Sequence, residues 1–157
     1  MSLSVDQIEK TIKEIERLVD PSSSGYGRLL NWQNPPDLFW HYGIGLSNIH
    51  IFDTGRALCP FERKEAKFVT GIEEIAFEPK QTIERLKQAL HVFATWEYND
   101  TGWNSEHLAR LIATDQPRCY QSIPIWMLCN LSPEGDHKTA HKIFGNYLQK
   151  ANPAISR

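Results

Sequence analysis

The chain has 157 residues, which is within the usual size of one domain. Hydrophobic residues make up 41% and charged residues 23%, close to the averages of globular proteins, so the composition excludes a disordered chain and a fibrous repeat. The formal net charge of -2 argues against nucleic acid as a partner, because phosphate backbones are bound by clustered Lys and Arg.

The amino-terminal residues 1–10 lack the basic start and the apolar run of a signal peptide. No apolar stretch approaches the ~20 residues that span a bilayer. We therefore expect a cytoplasmic protein without a transmembrane segment. The cysteines Cys59, Cys119 and Cys129 lack metal-like spacing, so we expect reduced thiols and neither a metal nor a cofactor.

The first predicted element is an amphipathic helix over residues 4–19. Ser4 and Gln7 form a capping box, and apolar residues follow at helical spacing: Val5, Ile8, Ile12, Ile15 and Leu18. The next segment is rich in serine and contains prolines, which predicts a loop over residues 21–36 that includes Trp32.

Residues 38–53 predict a β-hairpin, because two runs rich in β-branched and aromatic residues flank the polar pair Ser47-Asn48. A third strand is predicted over residues 71–77, between a glycine and the stop signal Glu78-Pro79.

Helical spacing of apolar residues predicts a helix over 82–93 that packs on the sheet. Asn104 is a good N-cap for a helix over 104–114. The apolar run 123–129 is short and contains a proline, so we predict a buried segment or an edge strand. A last helix is predicted over 139–151.

Together these elements predict an α+β fold with a small antiparallel sheet packed against helices, in a single domain over residues 1–157. His137 and His141 lie near the last helix, four residues apart. We interpret them as solvated surface rather than a metal site, because no third ligand is indicated.

Two short motifs support the functional hypothesis. His41-Tyr42-Gly43-Ile44 lies on the first strand of the hairpin, and Asn104-Ser105-Glu106-His107-Leu108 opens the helix 104–114. A side chain at a helix N-terminus meets the positive end of the helix dipole and unpaired N–H groups, which favour an anion such as a thiolate. An imidazole nearby supplies the base that such a nucleophile needs.

In their order, these motifs resemble the lecithin:retinol acyltransferase-like (NC-domain) family of permuted papain-like thiol enzymes. In that family a His-Trp/Tyr-Gly/Ala-Ile strand precedes an Asn-Cys-Glu-His-Phe helix. The resemblance covers about residues 36–118 and includes an amphipathic helix, like 82–93, ahead of the second motif. It implies a circularly permuted papain-like fold.

By this resemblance His41 is the base, and a residue on the second strand orients its ring. Two residues compete for the orienting role. The spacing usual in the family leads from His41 to Asp53, whereas His50 is closer in type. Ser105 stands at the position of the nucleophilic cysteine.

Family members that keep the cysteine transfer acyl groups through an acyl-thioester. Ser105 departs from this pattern, because a hydroxyl is far less acidic than a thiol. Three interpretations stay open: a thiol acyltransferase or hydrolase silenced by serine, a working Ser-His hydrolase, and a pseudoenzyme that binds without catalysis. The implied partner is an acyl-bearing small molecule, a lipid or a peptide.

Overall fold

The computed structural model describes residues 2–55, 57–74, 76–99, 102–120 and 136–156. Within these residues helices and strands form a small α+β fold, as predicted. The strands are β1 (Leu29–Trp32), β2 (His41–Gly45), β3 (His50–Asp53), β4 (Pro60–Glu62) and β5 (Thr70–Ile72). The helices are α1 (Val5–Leu18), α2 (Pro79–Phe93), α3 (Ser105–Thr114) and α4 (Asp136–Ala151), with short 3-10 turns at Arg63–Glu65 and Pro153–Ile155.

The described strands form one antiparallel sheet in the order β4-β3-β2-β1-β5. Strands β2 and β3 confirm the hairpin predicted over 38–53. Gly43 lies opposite Asp53, and Ile44 lies opposite Phe52.

Strand β1 lies inside the segment 21–36, where the sequence predicted a loop, so that prediction is wrong. Leu29, Leu30 and Trp32 are buried, and the strand hydrogen-bonds to both β2 and β5. A four-residue strand between turn-forming segments carries too little periodicity to be recognised.

Strand β5 begins at Thr70 and ends at Ile72, so the strand predicted over 71–77 is confirmed only at its start. Beyond Ile72 the chain leaves the sheet, and Glu74 contacts α3. Its carboxylate lies 2.6 Å from a guanidinium nitrogen of Arg110.

Helix α1 agrees with the prediction over 4–19, and its capping box forms as expected. The Gln7 N–H donates to the Ser4 hydroxyl at 3.3 Å, and the Ser4 N–H donates to the Gln7 side chain at 2.8 Å. Helix α2 begins earlier than the predicted 82–93, because Pro79 fits the first turn of a helix. None of the helices in the described part of the chain is both long and apolar enough to span a bilayer.

The two faces of the sheet pack against different partners. Leu29, Tyr42, Ile44 and Phe52 face the helices and form the main core with apolar residues of α2, α3 and α4. The opposite face forms a smaller cluster, which contains Leu30, Trp32, Ile51, Ala66, Phe61 and Val69.

Arg85 of α2 fixes the carboxyl end of α3. Its fully buried guanidinium donates to the carbonyls of Leu111 and Ile112, at 2.7 and 2.8 Å, and to Asp115 at 2.9 Å. A cation at this end also opposes the negative pole of the helix dipole.

Helix α4 begins earlier than the predicted 139–151 and buries a residue expected at the surface. The interpretation of His137 as solvated is wrong, because its ring stacks on His107 with the ring centroids 5.0 Å apart. His141 is exposed and contacts Asp115 at 3.2 Å. The run 123–129 lies outside the described residues.

Candidate functional site

Ser105 is the first residue of α3, and its neighbours cap the helix. The Asn104 side-chain oxygen accepts the N–H groups of Glu106 and His107, at 3.0 and 3.1 Å. In return, His107 Nδ1 accepts the Asn104 N–H at 3.1 Å. The predicted N-cap is therefore confirmed, and Ser105 lies at a well-formed positive helix end.

Thr54 joins the start of α3 to the strand that carries His41. Its fully buried hydroxyl lies 2.8 Å from the Tyr42 carbonyl oxygen and 3.0 Å from the Ser105 carbonyl oxygen. The Thr54 N–H also donates to Tyr42 at 3.1 Å, and the Tyr98 hydroxyl donates to the Thr54 carbonyl. Ser105 is thus held next to the residue that follows His41.

His41 lies on the face of the sheet that carries Trp32. The two rings are stacked, with centroids 5.8 Å apart and planes 16° apart. His41 Nε2 lies 2.8 Å from an Asp37 carboxylate oxygen. This carboxylate was not recognised from the sequence, although it precedes His41 by only four residues.

Asp53 shares a sheet face with His41. Gly43 pairs with Asp53, and alternate residues of a strand point to the same face, so His41 and Asp53 are diagonal neighbours. Burial raises the pKa of Asp53, while the Gly55 N–H and His41 act in the opposite direction. His41 therefore lies close enough to act on the Asp53 carboxyl group.

His50 is not brought to this group. It lies at the other end of β3, where its backbone N–H donates to the Ser47 hydroxyl at 3.1 Å. Its position on the strand differs from that of Asp53 by an odd number, so the two side chains point to opposite faces. Leu46 lies five positions after His41, and its N–H donates to the His50 carbonyl, which places the two histidines roughly 15 Å apart along the strand.

The start of α3 and the His41 ring lie at the same end of the sheet but on different faces of it. Helix α3 packs on the face that carries Tyr42, whereas His41 lies on the other face. Among the described residues no hydrogen bond joins Ser105 to His41, and the Nε2 atom of His41 is engaged by Asp37.

A buried ionic cluster supports α3 just behind Ser105. Glu106 is fully buried, and one carboxylate oxygen accepts from Arg110 Nε and from the Tyr120 N–H, each at 2.9 Å. Burial opposes the charge of Arg110, but the hydrogen bond from Glu106 and the nearby carboxylates raise its pKa. Glu106 therefore supports the position of α3 through these contacts.

Two of the cysteines fall within the described residues, and both lie near this region. Cys119 is buried, with its sulfur 3.6 Å from the Asn104 side-chain nitrogen. Burial raises the pKa of Cys59, and the charge of Asp53 raises it further. Cys129 lies outside the described residues.

Comparison of the chain with protein-family models found no match, and neither a curated protein nor a solved structure matches it. The resemblance to the lecithin:retinol acyltransferase-like family therefore depends on the two sequence motifs.

Proposed function

We propose that the chain is an acyl-transfer scaffold of the lecithin:retinol acyltransferase-like type with serine at the nucleophile position. Ser105 takes the place of the nucleophile, His41 that of the base, and Asp53 that of the group that orients the imidazole. The Thr54 hydroxyl supports this proposal most directly, because it lies within hydrogen-bond distance of two backbone carbonyl oxygens, that of Ser105 and that of the residue after His41.

Asp53 is preferred to His50 for the orienting role. A carboxylate beside an imidazole fixes the tautomer of the ring and stabilises its protonated form. Asp53 shares the sheet face of His41, whereas His50 lies at the far end of β3.

A thiol at position 105 would complete the chemistry. Once its ring leaves Asp37 and turns around the end of the sheet towards α3, His41 would take the thiol proton. The sulfur would then attack the carbonyl carbon of an ester. The carbon–oxygen bond to the leaving alcohol would then break as the alcohol takes a proton from His41. The acyl group would pass from sulfur to an alcohol, an amine or water.

Serine at position 105 is a much weaker nucleophile than a thiolate for this reaction. A helix N-terminus stabilises a negative charge by about 0.3–1 kcal/mol at the surface, which is far too little to ionise an alkyl hydroxyl. In such a site the hydroxyl needs direct proton removal by the base, and in this structure His41 Nε2 is hydrogen-bonded to Asp37 instead.

A non-catalytic binding domain is the second candidate. The contact between His41 and Asp37 favours a binding domain, because the Nε2 atom that a base would use is hydrogen-bonded to the Asp37 carboxylate. Such a domain would keep the fold and the position of α3 but would not form an acyl-enzyme.

The test is acylation of the Ser105→Cys variant by p-nitrophenyl butyrate, a soluble activated ester. We expect a butyryl group at position 105 in the mass spectrum, and a loss of about 100-fold in the acylation rate when His41→Ala is added. Val5→Cys is the matched control, since Val5 is also the first residue of a capped helix but lies on α1.

Equal acylation rates for Ser105→Cys and Val5→Cys would contradict the proposed site, because a helix N-terminus alone would then explain the reactivity. If His41→Ala left the acylation rate of Ser105→Cys unchanged, His41 would be excluded as the base. Cys59 provides an internal reference in every sample.

A further inference from the structure

The segment before β2 exposes three consecutive large apolar side chains. Leu38 is 86% exposed, Phe39 is 55% exposed and Trp40 is 39% exposed. Single exposed apolar residues are common on globular proteins, but contiguous ones mark a contact surface. These three residues lead directly into His41.

A neighbouring loop exposes another aromatic ring. Phe68 is 76% exposed and has a φ of 55°, in the left-handed region that large side chains rarely adopt. The Lys67 N–H donates to the Asn34 side-chain oxygen at 2.7 Å, which makes the two loops neighbours. We call Leu38, Phe39, Trp40 and Phe68 the aromatic rim.

The charges around the aromatic rim are balanced. Acidic and basic side chains occur in equal number in the adjoining segments, namely Asp37, Glu62 and Glu65 against Arg63, Lys64 and Lys67. The Lys64 and Glu62 side chains also pair with each other at 2.7 Å. This surface therefore complements an electrically neutral layer better than a strongly anionic one.

The shape of the aromatic rim favours a deformable occupant. A side chain that is about four-fifths exposed protrudes from its loop, so a partner must surround it in order to remove it from water. A phospholipid layer does this, since its head groups part around apolar loop tips and tryptophan is favoured at the boundary between head groups and acyl chains.

We propose that the aromatic rim docks the protein on a zwitterionic phospholipid surface. Docking would bring His41 to that surface, because His41 directly follows Trp40 in the chain. The His41 ring stacks on Trp32 of the neighbouring strand. The docking does not depend on the proposed function.

The test is sedimentation of the full chain with phosphatidylcholine vesicles. The wild-type protein is expected to bind at millimolar lipid, and the double variant Leu38→Ser/Phe39→Ser is expected to bind at least tenfold more weakly. Ile49→Ser is the matched control, because Ile49 is 62% exposed in the turn at the opposite end of β2. This control is expected to stay within twofold of the wild type.

A second measurement does not depend on the serine variants. Brominated phosphatidylcholine should quench tryptophan fluorescence, and Trp40→Phe should remove most of that quenching. Sodium chloride at 0.5 M, roughly the concentration that shortens electrostatic reach to a few ångströms, should leave binding within twofold of its low-salt value.

Three results would overturn docking by the aromatic rim. The wild type could fail to bind phosphatidylcholine, or binding could be unaffected by the double variant, or binding could need anionic lipid and disappear in salt. Dimerisation in solution that the double variant abolishes would assign the surface to a second copy of the chain.

Failure here is separate from failure of the acyl-transfer proposal. Acylation of Ser105→Cys is measured with a soluble ester and no lipid. Acylation without vesicle binding would overturn only the docking, and vesicle binding without acylation would overturn only the chemistry.

Discussion

Ser105 is the first residue of α3, and Asn104 accepts the next two backbone N–H groups. For a thiol at that position, the helix dipole alone lowers the pKa by less than one unit, since one unit corresponds to about 1.4 kcal/mol and the dipole supplies about 0.3–1 kcal/mol. A larger shift needs the imidazole of His41 close to the sulfur. The chemistry of this site therefore depends on how one side chain at position 105 meets another at position 41.

Thr54 is the residue whose removal tests this arrangement. In the Ser105→Cys background, Thr54→Val keeps the shape but removes the hydroxyl shared by Tyr42 and Ser105. We expect acylation by p-nitrophenyl butyrate to slow about tenfold and urea unfolding to show a loss of roughly 1–2 kcal/mol.

Thr54→Ser is the control, because it restores the hydroxyl without the methyl group. It should recover most of the acylation rate. A variant in which valine lowers stability but leaves acylation unchanged would show that Thr54 supports the fold and does not position the nucleophile.

Helix α3 is held at both ends by contacts between elements. Thr54 fixes its start against β2, and Arg85 of α2 satisfies its last carbonyl groups. Helix α4 docks beside the start of α3 through stacked rings, in which Trp103, His107 and His137 follow one another with centroids 6.2 and 5.0 Å apart. The position of Ser105 therefore depends on three neighbouring elements.

The docking of α4 gives the fold a pH dependence. Burial lowers the pKa of His137 below 6.5, and the hydrogen bond to the Gly102 carbonyl only partly offsets this. As the pH falls, the unfolded chain takes up the proton first. The contribution of neutral His137 to the free energy of unfolding is therefore complete above about pH 6.5. It is lost as the pH falls from there through the lowered pKa of His137, by at most about 1.4 kcal/mol per pH unit.

Urea unfolding at pH 7.5, 6.5 and 5.5 measures this dependence. His137→Phe keeps an aromatic ring for stacking but cannot take up a proton, so it should flatten the fall in unfolding free energy below pH 6.5. His91→Gln, on an exposed position of α2, should leave the slope unchanged. An unchanged slope for His137→Phe would assign the pH dependence to other groups.

Across the whole molecule, the sequence predicted the elements that have a regular spacing of apolar residues or a capping motif. It did not predict a short strand or a contact between residues distant in the chain. The capping box of α1, the hairpin of β2 and β3 and the N-cap of α3 follow from local patterns that structure and sequence share. Strand β1 was missed because its four residues gain their stability from pairing on both sides. The burial of His137 depends on a ring thirty residues away in the chain, which no local pattern records.

The residues of the candidate site also fall into two groups, those that the sequence predicts and those that only the structure shows. His41 and Ser105 stand out because their residue types recur in a recognisable motif, and the alternation of β3 separates Asp53 from His50 once the register is known. Thr54 and Asp37 could not be found from the sequence, since a threonine after a strand and an aspartate in a turn are ordinary residues there. Their importance comes from the atoms that they contact.

The central claim is that position 105, at the start of α3, is a nucleophile position served by the His41 imidazole. Its most direct measurement is the rate of iodoacetamide labelling of Ser105→Cys against pH, with and without His41→Ala, and with Val5→Cys for comparison. The account predicts a thiol that titrates well below pH 8.5, below the Val5→Cys thiol, and that loses this shift without His41. A thiol that titrates like that of Val5→Cys, whether or not His41 is present, would contradict the account.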